Sequence, residues 1–159
     1  MKDKVPKTNA MRILDRNSVE YETVTYEVDE GDLDAVHIAK AAGLNVEQVF
    51  KTIVMSNQDN ELFVFCLPAQ LEVSLKKVRD LTGSRSIDLL KLDLLQKHTG
   101  YIRGGCSPLG MIHSYPTFIE ELATIEDEIY VSGGLRGVQI KLSPYDLARC
   151  CNATFASFT

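Results

Sequence analysis

Several features that would place a protein in a specialised class are missing from this 159-residue chain. No apolar run approaches the roughly 20 residues that a transmembrane helix needs. The amino-terminal sequence MKDKVPKTNA is charged and polar with no apolar segment behind it, which is unlike a secretory signal. Internal repeats, low-complexity stretches and linkers are also lacking. We therefore expect one soluble domain in the cytoplasm, with residues 1–7 as a disordered tail and residues 8–159 as the domain.

Cysteine is present, but not in a metal-binding or redox pattern. The four cysteines are Cys66, Cys106, Cys150 and Cys151. They form no C-x-x-C pair, and the last two are adjacent, so the pattern indicates reduced thiols in a reducing compartment. The three histidines do not complete a ligand cluster with zinc spacing. The sequence therefore predicts no metal site and no other cofactor.

A surplus of positive charge is also lacking, because 17 Lys and Arg stand against 22 Asp and Glu, for a net charge of −5. Broad, non-specific nucleic-acid binding needs a basic surface and is not expected. A local basic patch is compatible with this composition. The most interesting cations are Arg103 and Arg136, because each lies within a glycine-rich segment.

Glycine is concentrated in two short runs. The first is GYIRGGCSPLG at residues 100–110, and the second is VSGGLRG at residues 131–137. Glycine adopts backbone conformations closed to other residues and lets the main chain approach a ligand closely. The runs therefore suggest a site built from backbone N–H groups, although two ordinary tight turns would give the same pattern.

One lysine interrupts an otherwise apolar strand, VFKTIVM at residues 49–55. Strand alternation places Lys51 on the same face as Ile53 and Met55. An unpaired buried ammonium is costly, so Lys51 must reach solvent, a partner or a ligand. Snorkelling at the strand end and projection into a pocket both satisfy this requirement.

Capping and alternation signals predict an α+β domain with a mixed or antiparallel sheet flanked by helices. Helices are predicted at residues 8–16, 34–43, 74–82, 89–99 and 143–151, with one more helical turn after Asn45. Strands are predicted at residues 21–28, 50–56, 62–67, 111–115, 128–131, 139–142 and 153–156.

Four segments occur in the order and spacing of one known family: VFKT, LKK at residues 75–77, GYIRGGCSPLG and YVSGGLRG. On these segments the chain resembles the YbaK/EbsC-like aminoacyl-tRNA deacylases, which are related to the editing domain inserted in bacterial prolyl-tRNA synthetases. The resemblance covers about residues 8–157. It implies a mixed, partly barrel-like sheet. It also implies hydrolysis of the ester between a wrong amino acid and the 3′ end of tRNA, with Cys-tRNA(Pro) as the expected substrate and Ala-tRNA(Pro) as the alternative.

Carried over by position, the resemblance implies a set of site residues. The catalytic candidates are Lys51, Gly104, Gly105 and Ser132. The expected substrate-binding residues are Tyr26, Leu33, Cys106, Ser107, Gly133, Gly134, Arg136 and Gln139. The chain departs from the family pattern at Gln139, where relatives often carry an acid, and near Leu33, where some carry phenylalanine. Both departures concern the pocket wall and therefore the amino-acid preference.

The sequence shows no Ser-His-Asp arrangement and no nucleophile elbow. Cys106 is either a nucleophile or a small packed thiol. The N–H groups around it would stabilise an oxyanion, Lys51 would hold the terminal phosphate or ribose or stabilise developing charge, and Ser132 would orient water or the ribose. For the family, attack by the thiol of a cysteinyl substrate on its own carbonyl, with loss of a cyclic thiolactone, would remove the need for a protein nucleophile.

Two function classes stay open at this stage. The first is trans-editing of the mischarged tRNA 3′ end. In that reading a transient complex with prolyl-tRNA synthetase is plausible, because an acidic chain should bind tRNA only modestly. The second is a non-catalytic binding module for an amino acid, a nucleotide or an aminoacyl-tRNA 3′ end. The sequence does not give the oligomeric state.

Overall fold

The computed structural model describes residues 5–159, so the predicted tail lies partly outside the described residues. The helices in this range are α1 (Asn9–Arg16), α2 (Ala35–Ala42), α3 (Leu75–Thr82), α4 (Leu92–Thr99) and α5 (Pro144–Cys151), with short 3-10 helices at Val46–Gln48 and Glu121–Ile125. The strands are β1 (Glu22–Thr25), β2 (Phe50–Asn57), β3 (Leu62–Pro68), β4 (Ile87–Leu89), β5 (Thr117–Glu120), β6 (Ile129–Ser132), β7 (Val138–Leu142) and β8 (Thr154–Ala156). Within residues 5–159, no helix has the length and apolarity needed to cross a lipid bilayer.

Local sequence sets the helix boundaries. The Asp34 carboxylate accepts the Val36 N–H at 2.9 Å and begins α2, which ends at Gly43 with φ 70°. α3 likewise begins after Ser74 and ends at Gly83 with φ 67°. An oxygen-bearing side chain at the start and a left-handed glycine at the end satisfy the groups that a helix leaves unpaired.

The strands form two sheets. The larger sheet has the order β4-β2-β3-β5-β8, and the smaller has the order β1-β7-β6. β2 pairs antiparallel with β3, whereas β3 and β5, and β5 and β8, pair in parallel, so the larger sheet is mixed. A bridge between Val49 and Tyr130 joins the start of β2 to β6. The α+β prediction is confirmed, and the sheets are not closed into a barrel.

The largest apolar cluster joins the smaller sheet to two helices. Met11 and Leu14 of α1, Ile140 of β7 and Leu147 of α5 are buried in it together. A second cluster lies on the larger sheet, where Phe65 meets the Phe158 ring edge-on at a centroid distance of 5.1 Å. The two clusters fix α1 and the end of the chain against the sheets, and this arrangement positions the two glycine runs.

Three sequence-based assignments are wrong in extent or position. Residues 111–115 form no strand, because the Ile112 N–H donates to Thr99 O and the Tyr115 hydroxyl to His98 O, which folds the segment back onto α4. The strand is instead β5, two residues later. The residues just before α4 form strand β4, where Leu89 pairs with Met55, rather than the first turn of a helix. β1 has four residues instead of eight, since its partner β7 begins only at Val138.

Candidate active site

A cavity of about 550 Å³ lies where β2, the β4–α4 segment, the start of α2 and the first glycine run meet the ends of β6 and β7. This volume lies in the range of pockets that hold small ligands. Six of the predicted site residues line it: Lys51, Gly104, Ser132, Leu33, Cys106 and Gln139. The structure thus brings together half of the twelve residues that sequence resemblance selected.

The other six lie behind the cavity wall or beside it: Gly105, Tyr26, Ser107, Gly133, Gly134 and Arg136. Gly105 is buried where the two glycine runs touch, since a Cβ there would lie 3.1 Å from Arg136 N and 3.2 Å from Leu135 C. The Arg136 Nε donates to Arg103 O at 2.8 Å and joins the same two runs. A Cβ on Gly134 would lie 3.2 Å from the ring of Tyr101.

Ser107, Tyr26 and Gly133 also have structural contacts. The buried Ser107 Oγ accepts the Leu109 N–H at 3.2 Å, inside the first run. The Tyr26 N–H donates to Gly137 O, so its backbone continues the pairing of β1 beside the second run. A Cβ on Gly133 would lie 2.8 Å from Val138 Cγ1. These contacts hold the runs in place, and a direct contact of these residues with substrate stays a prediction.

Lys51 reaches into the cavity from β2. Its side chain is only 21% exposed, and its Nζ lies 3.2 Å from Oε1 of Glu72, whose side chain is 87% exposed. The ammonium is therefore held at the cavity wall by a carboxylate that reaches it from the solvent side. Of the two readings left open by the sequence, the structure shows the lysine that lines a pocket.

The first glycine run contributes Gly104 and Cys106 to the cavity wall. The Gly105 N–H donates to Ile102 O at 2.9 Å, whereas the N–H groups on either side, those of Gly104 and Cys106, have no acceptor within residues 5–159. Gly104 has φ 85°, a left-handed conformation that glycine adopts without strain. Unpaired N–H groups that meet a developing oxyanion stabilise it, so the donors of Gly104 and Cys106, which flank Gly105, are candidates for that role.

The Cys106 side chain is a poor nucleophile in this setting. Burial raises the pKa of its thiol to about 12, so the reactive thiolate is scarce at neutral pH. Among the described residues that line the cavity there is no histidine to take its proton. The geometry therefore favours a small packed thiol at Cys106 over a nucleophile. The backbone N–H of this residue, rather than its sulfur, is the group that could act on a substrate.

Two polar side-chain atoms in the cavity wall are buried without a hydrogen-bond partner among the described residues. They are Oγ1 of Thr52 and Oε1 of Gln139, and the latter residue is 4% exposed. Leaving a buried polar atom unpaired costs roughly 1–3 kcal/mol. Their common position suggests that a polar ligand completes the wall. The Ser132 Oγ accepts the Gly134 N–H at 3.1 Å and keeps its own proton free to donate.

Sequence reasoning missed several wall residues. Strand alternation puts Thr52 on the face opposite Lys51, yet both residues line the cavity. Leu89 and Leu92, which are 63% and 58% exposed, form an apolar rim. The leucine-rich segment LLKLDLL was a visible signal, but it was interpreted only as part of the helix predicted at residues 89–99. Arg103 stood out by its place in a glycine run, and it does line the cavity.

Among the described residues, the cavity wall holds Lys51 and the backbone of Gly104 and Cys106 and contains no histidine; such a wall suits electrostatic stabilisation of an acyl-transfer oxyanion. A family model described as the aminoacyl-tRNA editing domain matches residues 30–150. The chain belongs to this family, and its activity is that of an aminoacyl-tRNA deacylase.

The chain is also similar to individual proteins of known sequence or structure. The chain is 37% identical, over 96% of its length and 93% of the other, to an Enterococcus faecalis (strain ATCC 700802 / V583) protein named as a candidate Cys-tRNA(Pro)/Cys-tRNA(Cys) deacylase, EbsC. A crystal structure of a candidate trans-editing enzyme for prolyl tRNA synthetase matches with a TM-score of 0.79 and 20% identity, covering 94% of this chain and 92% of that one. A hypothetical protein matches with a TM-score of 0.85 and 14% identity over 95% and 99% of the two chains. The two structural matches show a shared fold.

Proposed function

We propose that this deacylase acts in trans on Cys-tRNA(Pro), in the cytoplasm. The observation that carries the proposal is the pair of free N–H groups, from Gly104 and Cys106, in a wall that offers no activated protein nucleophile. A substrate that supplies its own nucleophile fits such a site. The 37% identical relative, named for cysteinyl substrates, supports the same choice.

In the proposed reaction, the substrate sulfur attacks the carbonyl carbon of its own ester. The ester bond to the 3′ oxygen breaks, the thiol proton ends on that oxygen, and a cyclic thiolactone leaves for later hydrolysis by water. The carbonyl oxygen, charged in the transition state, accepts from the Gly104 and Cys106 N–H groups. One such donor is worth about 3 kcal/mol of transition-state stabilisation.

The remaining polar wall residues have binding roles in this proposal. Lys51 holds the terminal phosphate or ribose, and its Glu72 partner, being highly exposed, can turn away into solvent. Ser132 donates to the ribose. Thr52 and Gln139 surround the amino-acid moiety, where their unpaired atoms meet polar groups of the substrate. Such a wall suits the thiol of cysteine better than the methyl group of alanine.

A partner is proposed for tRNA selection. The net charge of −5 disfavours strong binding to RNA by the domain alone. A transient complex with prolyl-tRNA synthetase would deliver the mischarged tRNA, and the neighbour described as a trans-editing enzyme for that synthetase supports this partner.

The test compares single-turnover deacylation of tRNA(Pro) carrying cysteine, 2-aminobutyrate, serine, alanine or proline. 2-Aminobutyrate has the shape of cysteine with a methyl group in place of the thiol. We expect fast loss of the cysteinyl ester only, abolished by Lys51→Ala in a protein that still folds. Equal rates for cysteine and 2-aminobutyrate would exclude the thiol route. Binding without hydrolysis of any ester would instead favour a binding module.

Thr52→Val tests the role of the Thr52 hydroxyl, because the substitution removes the hydroxyl while keeping the side-chain shape. We expect it to lower the preference for cysteine over 2-aminobutyrate, with little effect on the melting temperature, because the hydroxyl has no hydrogen-bond partner among residues 5–159. An unchanged preference would remove Thr52 from the amino-acid subsite.

A further inference from the structure

A second concavity, of about 690 Å³, lies against α1. We call it the α1 groove and define it by its lining residues: Lys7, Asn9, Arg12, Ile13, Asp15, Arg16, Gly110 and Met111. None of them lines the reaction cavity. The groove and the cavity nevertheless share the first glycine run, which reaches the cavity at Gly104 and the groove at Gly110.

The α1 groove is basic in an acidic protein. Within residues 5–159, the carboxylate that lines it is that of Asp15, which pairs with Lys7 Nζ at 2.7 Å. Within residues 5–159, neither Arg12 nor Arg16 has a carboxylate oxygen within 4.0 Å, and the Arg12 guanidinium donates to the neutral Asn9 Oδ1 at 2.9 Å. These two arginines are four residues apart on one helix face, where like charges repel. A bound anion would relieve that repulsion.

The groove is also close to the reacting end of the substrate. Gly104 and Gly110 are six residues apart, so they are separated by at most about 20 Å of extended chain. That is roughly the axial length of six stacked nucleotides in a duplex strand. α1 itself is packed on the run, because a Cβ on Gly110 would lie 3.0 Å from Asn9 Cβ. The distance between groove and cavity is therefore fixed by packed backbone.

We propose that the α1 groove binds phosphates of the acceptor end of the same tRNA whose aminoacyl terminus enters the cavity. The inference rests on the proposed function. It assigns to Arg12 and Arg16 a sequence-independent contact with the RNA backbone, of the kind that positions a nucleic acid rather than reading its bases. These two arginines attract RNA phosphates locally, although the net charge of the whole chain is negative.

The experiment uses the full chain with Arg12→Glu and Arg16→Glu combined, and two substrates. One is a cysteinyl acceptor-stem minihelix, and the other is the cysteinyl trinucleotide of its 3′ end. We expect kcat/KM on the minihelix to fall by about tenfold or more and the slope of log(kcat/KM) against log[salt] to shrink by about 1.5. The rate on the trinucleotide should not change, because it lacks the acceptor-stem phosphates that the groove is proposed to bind.

A control variant with Arg85→Glu and Arg149→Glu makes the same change in net charge outside both concavities. An equal loss in this control, no loss in the α1 variant, or a parallel loss on the trinucleotide would each overturn the proposal. A further double variant, Arg12→Gln and Arg16→Gln, removes the two charges without reversing them. Its melting temperature checks that α1 is intact.

Binding of the uncharged minihelix, followed by fluorescence anisotropy, separates the two proposals. If the wild-type chain hydrolyses neither substrate but binds the minihelix through Arg12 and Arg16, the proposed function fails and the groove assignment stands. If the cysteinyl esters are hydrolysed and the α1 variant binds the minihelix as tightly as the wild type, the groove assignment alone fails.

Discussion

The replacement of Gly105 by alanine tests the contact between the two glycine runs. Its Cβ would lie 3.1 Å from Arg136 N, 3.2 Å from Leu135 C and 3.4 Å from Leu135 Cα, all backbone atoms. Carbon contacts are normally about 3.5–4.0 Å. Because backbone cannot rotate away as a side chain does, the second run must shift by several tenths of an ångström, and the hydrogen bond from Arg136 to Arg103 O must adjust with it.

The expected cost follows from this crowding. Overpacking in a well-packed region costs about 1–3 kcal/mol. The reduced freedom of the unfolded chain recovers about 0.4–1 kcal/mol, since Gly105 does not have a positive φ. A net loss of about 1–2 kcal/mol corresponds to a fall in melting temperature of roughly 2–8 °C for a domain of this size. Because Gly105 separates the two free donors, kcat for the cysteinyl ester should fall by at least about tenfold.

Thermal unfolding and single-turnover deacylation measure both effects. Gly31→Ala is the matched control, because Gly31 also has no positive φ and its added Cβ would meet only the movable Asp29 Oδ1, at 3.3 Å. That variant should match the wild type in melting temperature and rate. If Gly105→Ala behaves like Gly31→Ala, the close packing of the runs does not hold the donors in place and the reasoning is wrong.

The remaining predictions concern buried polar groups. Cys106→Ser should keep at least a third of the wild-type kcat, as measured by deacylation, because the raised pKa keeps the thiol neutral; a loss of about 10³-fold would instead indicate a nucleophile. Glu120, 2% exposed, accepts the Phe158 and Thr159 N–H groups through Oε2; Glu120→Ala should cost about 3 kcal/mol in denaturant unfolding and Glu120→Gln clearly less. Burial raises the pKa of Cys106 and Cys151 from 9.0 to about 12. The unfolded thiols therefore ionise first, and the free energy of unfolding should fall as pH rises from about 9 to 12, less steeply in Cys106→Ser.

Local signals predicted the helices well. The caps at Asp34, Gly43, Ser74 and Gly83 depend on residues within a few positions of each helix end, so the sequence alone contains them. The β4 strand was missed because its three residues acquire strand geometry only by pairing with β2. Such pairing joins residues that are 30 to 34 positions apart in the sequence, which no local propensity reports.

The site was predictable to the extent that its chemistry depends on residue type. Lys51 stood out as a charge in an apolar strand, and Gly104 as part of a glycine run. The unpaired state of Thr52 and Gln139 could not be inferred, because an orphaned atom is defined by everything that surrounds it. The close contact of Gly105 with the backbone of Leu135 and Arg136 likewise could not be inferred from the sequence, because it depends on the tertiary structure.

The arrangement of the first glycine run bears on the proposal that the site works without a protein nucleophile. The Gly105 N–H donates to Ile102 O, and this bond restrains the backbone between Gly104 and Cys106, whose own N–H groups have no acceptor within residues 5–159. Donors fixed by backbone need no reorganisation when charge develops, which is the condition for electrostatic stabilisation. In the proposed reaction the protein acts by holding an oxyanion, and selectivity depends on whether the substrate brings its own attacking group. An alanyl ester in the same cavity would meet the same donors but would lack an internal thiol and would depend on attack by water.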